Sequence, residues 1–249
     1  MRIMIIRHAE PDYSIDSLTV KGKVEAELLS QRLVKVPDIT AIYQSPLGRA
    51  RETASYTLKK LNRTAETLPW LQEFRGRSFD EYYGRERICW DYHKEQWHGR
   101  PEMFHEEQWA KSDLFKGGNV EQIWKETCDG VDEVLARHGY RLEGDLWRCE
   151  QNKKDTLMFF CHFGVGSAML AHLVGVSPMP LWHCFCMQPS SVTTLVTEER
   201  APGEVSFRCY QLGDISHLYA AGERHSTAGL FAECYDGRDT TNPIEWERK

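Results

Sequence analysis

Five side chains of types suited to one reaction stand where apolar runs give way to loops. Arg7 and His8 follow directly on the run Ile3 to Ile6, inside "RHAEP" (7–11). Arg49 lies in "SPLGRARETA" (45–54), Glu73 in "LQEF" (71–74) and His162 in "CHFG" (161–164). Arginine presents paired N–H donors that match phosphate oxygens, and it keeps its charge. Histidine is available in its neutral form near pH 7 and can attack phosphorus. A carboxylic acid nearby can protonate a leaving oxygen. Two arginines, two histidines and a glutamate at one place would therefore bind and transfer a phosphoryl group.

The elements that must bring them together can be read from pattern. Residues 2–6 are short, rich in isoleucine and predict a buried strand, with a turn signal at Pro11. The stretch "LTVKGKVEAELLSQRLVKVP" predicts a helix with Thr19 as N-cap and Val20, Val24, Leu28 and Leu33 as its apolar stripe, ended by Pro37. Ile39 to Tyr43 suit a strand, and Ser45 and Pro46 suit the start of a helix running to about Leu61. A short strand is expected at Leu68 to Leu71. "DTLMFFCH" is apolar throughout and predicts a central strand covered on both faces, followed by a helix in "GVGSAMLAHLVGV". "SSVTTLVTEE" and "EVSFRCYQL" flank Pro202-Gly203 as a hairpin or antiparallel edge pair.

Residues 74–118 differ in character, with Tyr82, Tyr83, Trp90, Tyr92, Trp97 and Trp109 among many charges and no sheet pattern. They read as a partly helical insertion or lid. Helical periodicity returns at Val120, Ile123, Trp124, Val131, Val134 and Leu135, with Asn119 as N-cap. From about residue 222 the tail has low periodicity. Strand–helix alternation predicts a three-layer α/β/α fold with a mostly parallel central sheet, one domain over 1–249. In such sheets ligands gather at the carboxyl ends of the strands, where Arg7, His8 and His162 fall.

Composition sets the outer bounds. The 249 residues carry a net charge of −6, which argues against a nucleic-acid surface but not against a local cationic pocket. Eight cysteines are scattered, several inside apolar runs as Cys161 is, which is the usage of reduced buried thiols. The N-terminal apolar run is too short for a signal segment and no stretch reaches membrane-span length, so a cytoplasmic protein is expected.

Five blocks in order, "RHAEP", "LTVKG" (18–22), "SPLGRARETA", "LQEF" and "CHFG", resemble the motifs of the histidine phosphatase superfamily, the phosphoglycerate mutase-like family. The resemblance covers roughly residues 1–73 and 155–197. It implies a phosphoglycerate mutase-like fold and a phosphomonoesterase that needs neither metal nor cofactor and acts on a small phosphorylated metabolite. Under it His8 is the nucleophile that forms a phosphohistidine, Arg7, Arg49 and His162 clamp the phosphoryl oxygens, and Glu73 serves as acid and then base. Arg49, not Arg51, holds the motif position. Phe163 stands where the family usually has glycine, and Gly164 comes one place later; both are candidate substrate contacts, together with the loop N–H groups after His162. The segment between Glu10 and Leu18 is shorter than in typical mutases, with Asp12 and Tyr13 as candidate contacts.

Other readings compete. A cofactor-dependent phosphoglycerate mutase shares the core, and Arg75 or Arg77 would serve its second acidic group, although "EFRGRSFDEYYGRE" (73–86) matches the mutase block poorly. A non-catalytic phospholigand-binding module is the alternative outside enzymes. Asp80 or Glu81 could replace Glu73 as acid. "HCFC" (183–186) lacks a second ligand pair for zinc, and His93, His98 and His105 are not spaced as a metal pair on a helix. Asp214 and His217 read as structural contacts, and the aromatic residues of the insertion either pack it onto the core or stack on substrate.

Overall fold

The apolar run at the N-terminus lies in the middle of a large sheet, flanked on each side by strands from much later in the chain. The computed structural model describes residues 1–151 and 153–230. Its strands are β1 (Arg2–Arg7), β2 (Pro11–Asp12), β3 (Ser17–Leu18), β4 (Ile39–Gln44), β5 (Glu66–Thr67), β6 (Arg77–Asp80), β7 (Arg85–Ile88), β8 (Tyr140–Glu143), β9 (Leu146–Cys149), β10 (Thr156–Cys161), β11 (Val192–Ala201) and β12 (Glu204–Asp214). The helices are α1 (Val20–Leu33), α2 (Gly48–Leu61), α3 (Lys94–Trp97), α4 (Val120–Arg137), α5 (Phe163–Val174), α6 (Pro178–Cys184) and α7 (Ser216–Ala220). The main sheet has eight strands in the order β5-β4-β10-β1-β11-β12-β9-β8. It is mixed: β5, β4, β10 and β1 run parallel, and β11, β12, β9 and β8 extend the sheet in antiparallel pairs.

Register in the parallel half sets up the site. Arg7 lies opposite Cys161, and the His8 N–H continues the ladder to the Cys161 carbonyl at 2.9 Å. On the other side of β10, Gln44 lies opposite Phe160 and the Ser45 N–H reaches the Phe160 carbonyl at 2.9 Å. His8, His162 and Ser45 thus leave three neighbouring strands at one level. All six residues of β10 are buried, as its unbroken apolar sequence predicts.

Alternation along the strands divides the core in two. Met4, Ile6, Ile42, Met158 and Phe160 face Leu29 and Leu33 of α1 and Ala54 of α2. Ile3, Ile5, Leu157 and Phe159 face the other way, into a cluster with Val131 and Val134 of α4 and Val165 and Ala168 of α5. Helices on both faces make the three layers.

Several local expectations are corrected. In α1 the buried face is Gly22, Glu25, Ala26, Leu29, Ser30 and Leu33, while Val20 is 84% exposed and Val24 43%. The cause is close packing at Gly22, where a Cβ would lie 2.1 Å from the Glu10 carbonyl oxygen. That face must turn inward, and the valine face turns out with it. Thr19 does cap the helix, accepting from the Gly22 N–H at 2.9 Å. Helix α2 begins at Gly48, after Pro46, with the extended Leu47 at its N-cap. The strand expected at 68–71 sits earlier, at β5, and Pro69 to Leu71 form a 3₁₀ turn. Asn119 precedes α4, but its side chain accepts from the Arg77 N–H at 2.7 Å and makes no cap bond. The hairpin β8–β9 was not anticipated by periodicity.

The insertion is built from the hairpin β6–β7, the short α3 and three 3₁₀ turns, so its sheet pattern was hidden by short strands. Tyr92, Trp97, Trp109 and Phe115 are each 4% exposed or less and belong to the main core. Trp109 meets Trp124 at 5.4 Å and Trp182 at 5.3 Å between ring centres, both edge to face. These rings fasten the insertion to α4 and α6. No helix among the described residues is long and apolar enough to cross a membrane. The low-periodicity tail expected from about residue 222 extends partly into 231–249, outside the described residues.

Candidate active site

His8 and His162 leave the carboxyl ends of β1 and β10 with ring centres 5.1 Å apart and planes at 57°. Both are almost fully buried. His8 Nδ1 lies 2.7 Å from the Ala9 carbonyl oxygen. A carbonyl only accepts, so Nδ1 carries the proton and Nε2 keeps its lone pair. His162 Nε2 lies 2.7 Å from Ser45 Oγ, which also accepts the Leu47 N–H at 3.2 Å. With the hydroxyl proton given to Nε2, His162 Nδ1 carries a hydrogen, and it has no partner among the described residues. A buried donor left so is suited to an anion.

Arg7 is 8% exposed and donates through Nη1 to the Met187 carbonyl at 2.5 Å. That bond aims the guanidinium without neutralising it. Arg7 also lies over the Phe163 ring at 5.7 Å. Arg49, in the first turn of α2, donates through Nη1 to Asp16 Oδ1 at 2.6 Å and stands 5.3 Å from the Tyr13 ring centre. The other oxygen of Asp16 accepts from the Gly48 N–H at 2.6 Å. Asp16 therefore occupies the donors at the start of α2, a position its sequence context did not signal. The segment after α7 returns to this side, and a Cβ at Gly229 would lie 3.0 Å from Arg7 Nη2.

Glu73 reaches the same end of the sheet from the turn after β5. Its Oε1 accepts from the Phe74 N–H at 2.7 Å and from the Val165 N–H, in the first turn of α5, at 3.1 Å. Gly164 lies directly beneath: a Cβ there would be 2.6 Å from Glu73 Oε1 and 2.8 Å from Trp90 Nε1. This accounts for glycine at the second place after His162. Trp90 Nε1 donates to the Phe74 carbonyl at 2.9 Å and meets Phe163 edge to face at 6.1 Å. Gly164→Ala is expected to displace the Glu73 carboxyl. With Glu73 in the acid role that the sequence resemblance implies, turnover of an alkyl phosphate should fall about tenfold or more, with KM changed less; initial-rate kinetics check it.

Burial and neighbouring charge tune these groups. Burial holds His8 well below the usual imidazole range, and Arg7 and Arg49 lower it further, against the Ala9 carbonyl. His162 is also held well down, by burial, then by His8, Arg49 and Arg7. Burial raises Glu73, opposed by the Phe74 N–H, Arg49, the Val165 N–H and Arg7. The result is two neutral imidazoles beside two cations, with an acid inclined to keep its proton.

Other candidates are drawn elsewhere. Asp12 Oδ1 accepts from the Ser14 N–H and hydroxyl at 3.0 and 2.5 Å, within its own turn. Arg75 is half exposed and pairs with Glu126 on α4 at 3.5 Å. Asp80 is buried in the insertion, held by Arg87 at 3.4 Å and the Gln96 amide at 2.9 Å, and Glu81 is exposed. His183 Nδ1 donates to the Met179 carbonyl at 2.8 Å inside α6, and no group of three or more metal-ligating side chains occurs among the described residues. Asp214 pairs with Arg32 at 2.7 Å, and His217 contacts Ser190 Oγ at 3.2 Å. Ser45, Asp16, Trp90 and the Met187 carbonyl were not singled out from sequence. Ser45 lay inside a motif block, so it could have been found.

The sequence profile of the histidine phosphatase superfamily, branch 1, matches residues 3–209, and the chain belongs to that family. No curated protein sequence matches it. Among solved structures it is similar to a mutant phosphoserine phosphatase from Entamoeba histolytica in complex with phosphoserine, at 16% identity and TM-score 0.55, covering 87% of this chain and 98% of that one. It is similar to the mycobacterial glucosyl-3-phosphoglycerate phosphatase, at 17% identity and TM-score 0.57, covering 85% and 98%. A protein described as mycobacterial hydrolase 1 aligns at 18% identity and TM-score 0.58, covering 86% and 98%.

Proposed function

We propose that the protein is a phosphatase of small phosphorylated metabolites that works through a phosphohistidine on His8 without a metal. The observation that carries this reading is the convergence of neutral His8 and His162 with Arg7, Arg49 and Glu73 beyond the ends of β1 and β10. Nε2 of His8 attacks phosphorus, and the bond from phosphorus to the ester oxygen breaks. Arg7, Arg49 and the His162 Nδ1–H face the charge on the phosphoryl oxygens. The Glu73 proton passes to the leaving oxygen. Phosphorylated His8 is cationic, and its Nδ1–H remains on the Ala9 carbonyl. Glu73, now a carboxylate, takes a proton from water as that water attacks phosphorus and the N–P bond breaks.

The phosphoserine and glucosyl-3-phosphoglycerate phosphatases among the structural neighbours support a small phosphomonoester as substrate. Arg75, paired with Glu126, is withdrawn from the place a mutase would give it. A pure binding module would need neither a free nucleophilic lone pair nor a protonated acid. Hydrolysis of p-nitrophenyl phosphate in EDTA tests the reading, alongside assays for interconversion of 2- and 3-phosphoglycerate with bisphosphate present. Activity only with added metal, or mutase turnover exceeding hydrolysis, overturns it.

The pH profile follows from the signs of the shifts. His8 must be neutral, and its depressed pKa keeps it so until well below the usual imidazole range. Glu73 must be protonated, and its raised pKa extends that form upward. The rate on an alkyl phosphate should peak on the acid side of neutrality, with the acid limb from His8 and the alkaline limb from Glu73. Glu73→Gln should cost about 10²-fold or more on alkyl phosphates, less on aryl phosphates, and should remove the alkaline limb. Equal losses on both substrate classes would remove Glu73 from the role.

A further inference from the structure

At the far end of α5 from His162, roughly 15 Å along a helix rising 1.5 Å per residue, lies a cavity of about 350 Å³. Trp124, Trp147, Phe207, His172, Glu106 and Asp145 are among its lining residues. It shares no residue with the phosphoryl site. Its volume falls in the range of small-molecule sites.

The walls combine aromatic rings with carboxylates. Trp124 and Trp147 each meet the His172 ring edge on, at 6.1 and 5.9 Å. Phe207 closes a corner on Trp147 at 5.3 Å and 89°. Glu106, Glu107 and Asp145 have no lysine or arginine partner among the described residues. His172 is 7% exposed, and its Nε2–H donates to Asp132 Oδ1 at 2.6 Å. Its Nδ1 makes no hydrogen bond among the described residues and stands 3.9 Å from Glu106 Oε1. In the neutral ring that nitrogen is an acceptor.

The local field is negative. Burial raises the Glu106 carboxyl; His172 opposes this, and Asp145 and Glu107 raise it further. The neighbouring Cys128 thiol is pushed up by burial and then by Asp132, Glu106 and Asp129. An anion would be repelled here. The carboxylates are not gathered for a bare metal ion, since no group of three or more metal-ligating side chains occurs among the described residues. An organic cation meets both features, because indole faces attract cations and carboxylates accept from ammonium N–H groups.

We propose that this cavity binds a small alkylammonium ion, with its N–H groups toward His172 Nδ1 and Glu106 and its charge between the Trp124 and Trp147 rings. Calorimetric titration of the full chain with butylammonium, and with 1-butanol as the uncharged counterpart, tests it. Saturable one-to-one binding of butylammonium, with none for butanol, is expected. Glu106→Gln should weaken that binding about tenfold and Trp124→Leu about fivefold or more, the scale of a lost charge contact and a lost cation–π contact. Glu106 is partly exposed and its amide variant keeps the shape, so the test does not depend on the tryptophan variant folding. Absence of saturable butylammonium binding, equal binding of butanol, or unchanged affinity in Glu106→Gln overturns the proposal.

Discussion

Replacing His8 by alanine is expected to leave a folded protein whose hydrolysis of p-nitrophenyl phosphate is lower by on the order of 10⁴-fold or more. The size follows from the chemistry proposed for this nitrogen. The His8 Nε2 lone pair is fixed by a hydrogen bond on the opposite ring nitrogen, at 2.7 Å to the Ala9 carbonyl. His162 cannot stand in, because its Nε2 is engaged with Ser45. Water would have to attack the ester directly, and the two-step path through nitrogen is lost. Reactions with labelled substrate quenched in alkaline detergent should show phosphorylated wild-type protein, stable to alkali and labile to acid, and none in the variant. The fold should survive, since the His8 side chain bonds only locally and its backbone N–H keeps the Cys161 bond at 2.9 Å. A variant retaining a tenth of wild-type activity, with an intact thermal transition, would refute the nucleophile assignment.

Arg7→Ala should rank second, with kcat/KM reduced by about 10²–10³-fold and most of the loss in kcat. Arg49→Ala is expected to cost less, and the reason is electrostatic. Arg49 already faces the carboxylate of Asp16 at 2.6 Å, while Arg7 is aimed by the neutral Met187 carbonyl. Among the described residues Arg7 thus has no carboxylate partner, in a buried place where a charge acts more strongly than at the surface. Arg7→Lys should recover little, because a single ammonium cannot both hold Met187 and present a paired donor edge. Removing the positive charge also relieves one of the influences that lowers the His8 pKa. The acid limb of the pH profile should therefore move upward in Arg7→Ala. An acid limb left in place, or a loss confined to KM, would argue that Arg7 only attracts substrate. Steady-state kinetics across pH separate these outcomes.

Both predictions rest on residues that pattern alone exposed. The amino-acid sequence determined that Arg7, His8 and His162 follow strands, because an unbroken apolar run such as Leu157 to Cys161 is a local signal of a covered strand. It also determined the Thr19 cap and the hairpin around Pro202-Gly203, which depend on neighbours in the chain. Tertiary structure decided what depends on contacts between distant segments. Gly22 must pack on the Glu10 backbone, so α1 buries Glu25 and Ala26 and exposes Val20. Arg75 goes to Glu126, Asp16 goes to Arg49, and Trp97 and Trp109 go to the core. Burial, which sets the His8, His162 and Glu73 protonation states, is likewise a property of the assembled layers. Periodicity encodes which way a side chain faces relative to its own neighbours; which partner it meets is a matter of competing distances in space, and those exist only once the chain has folded.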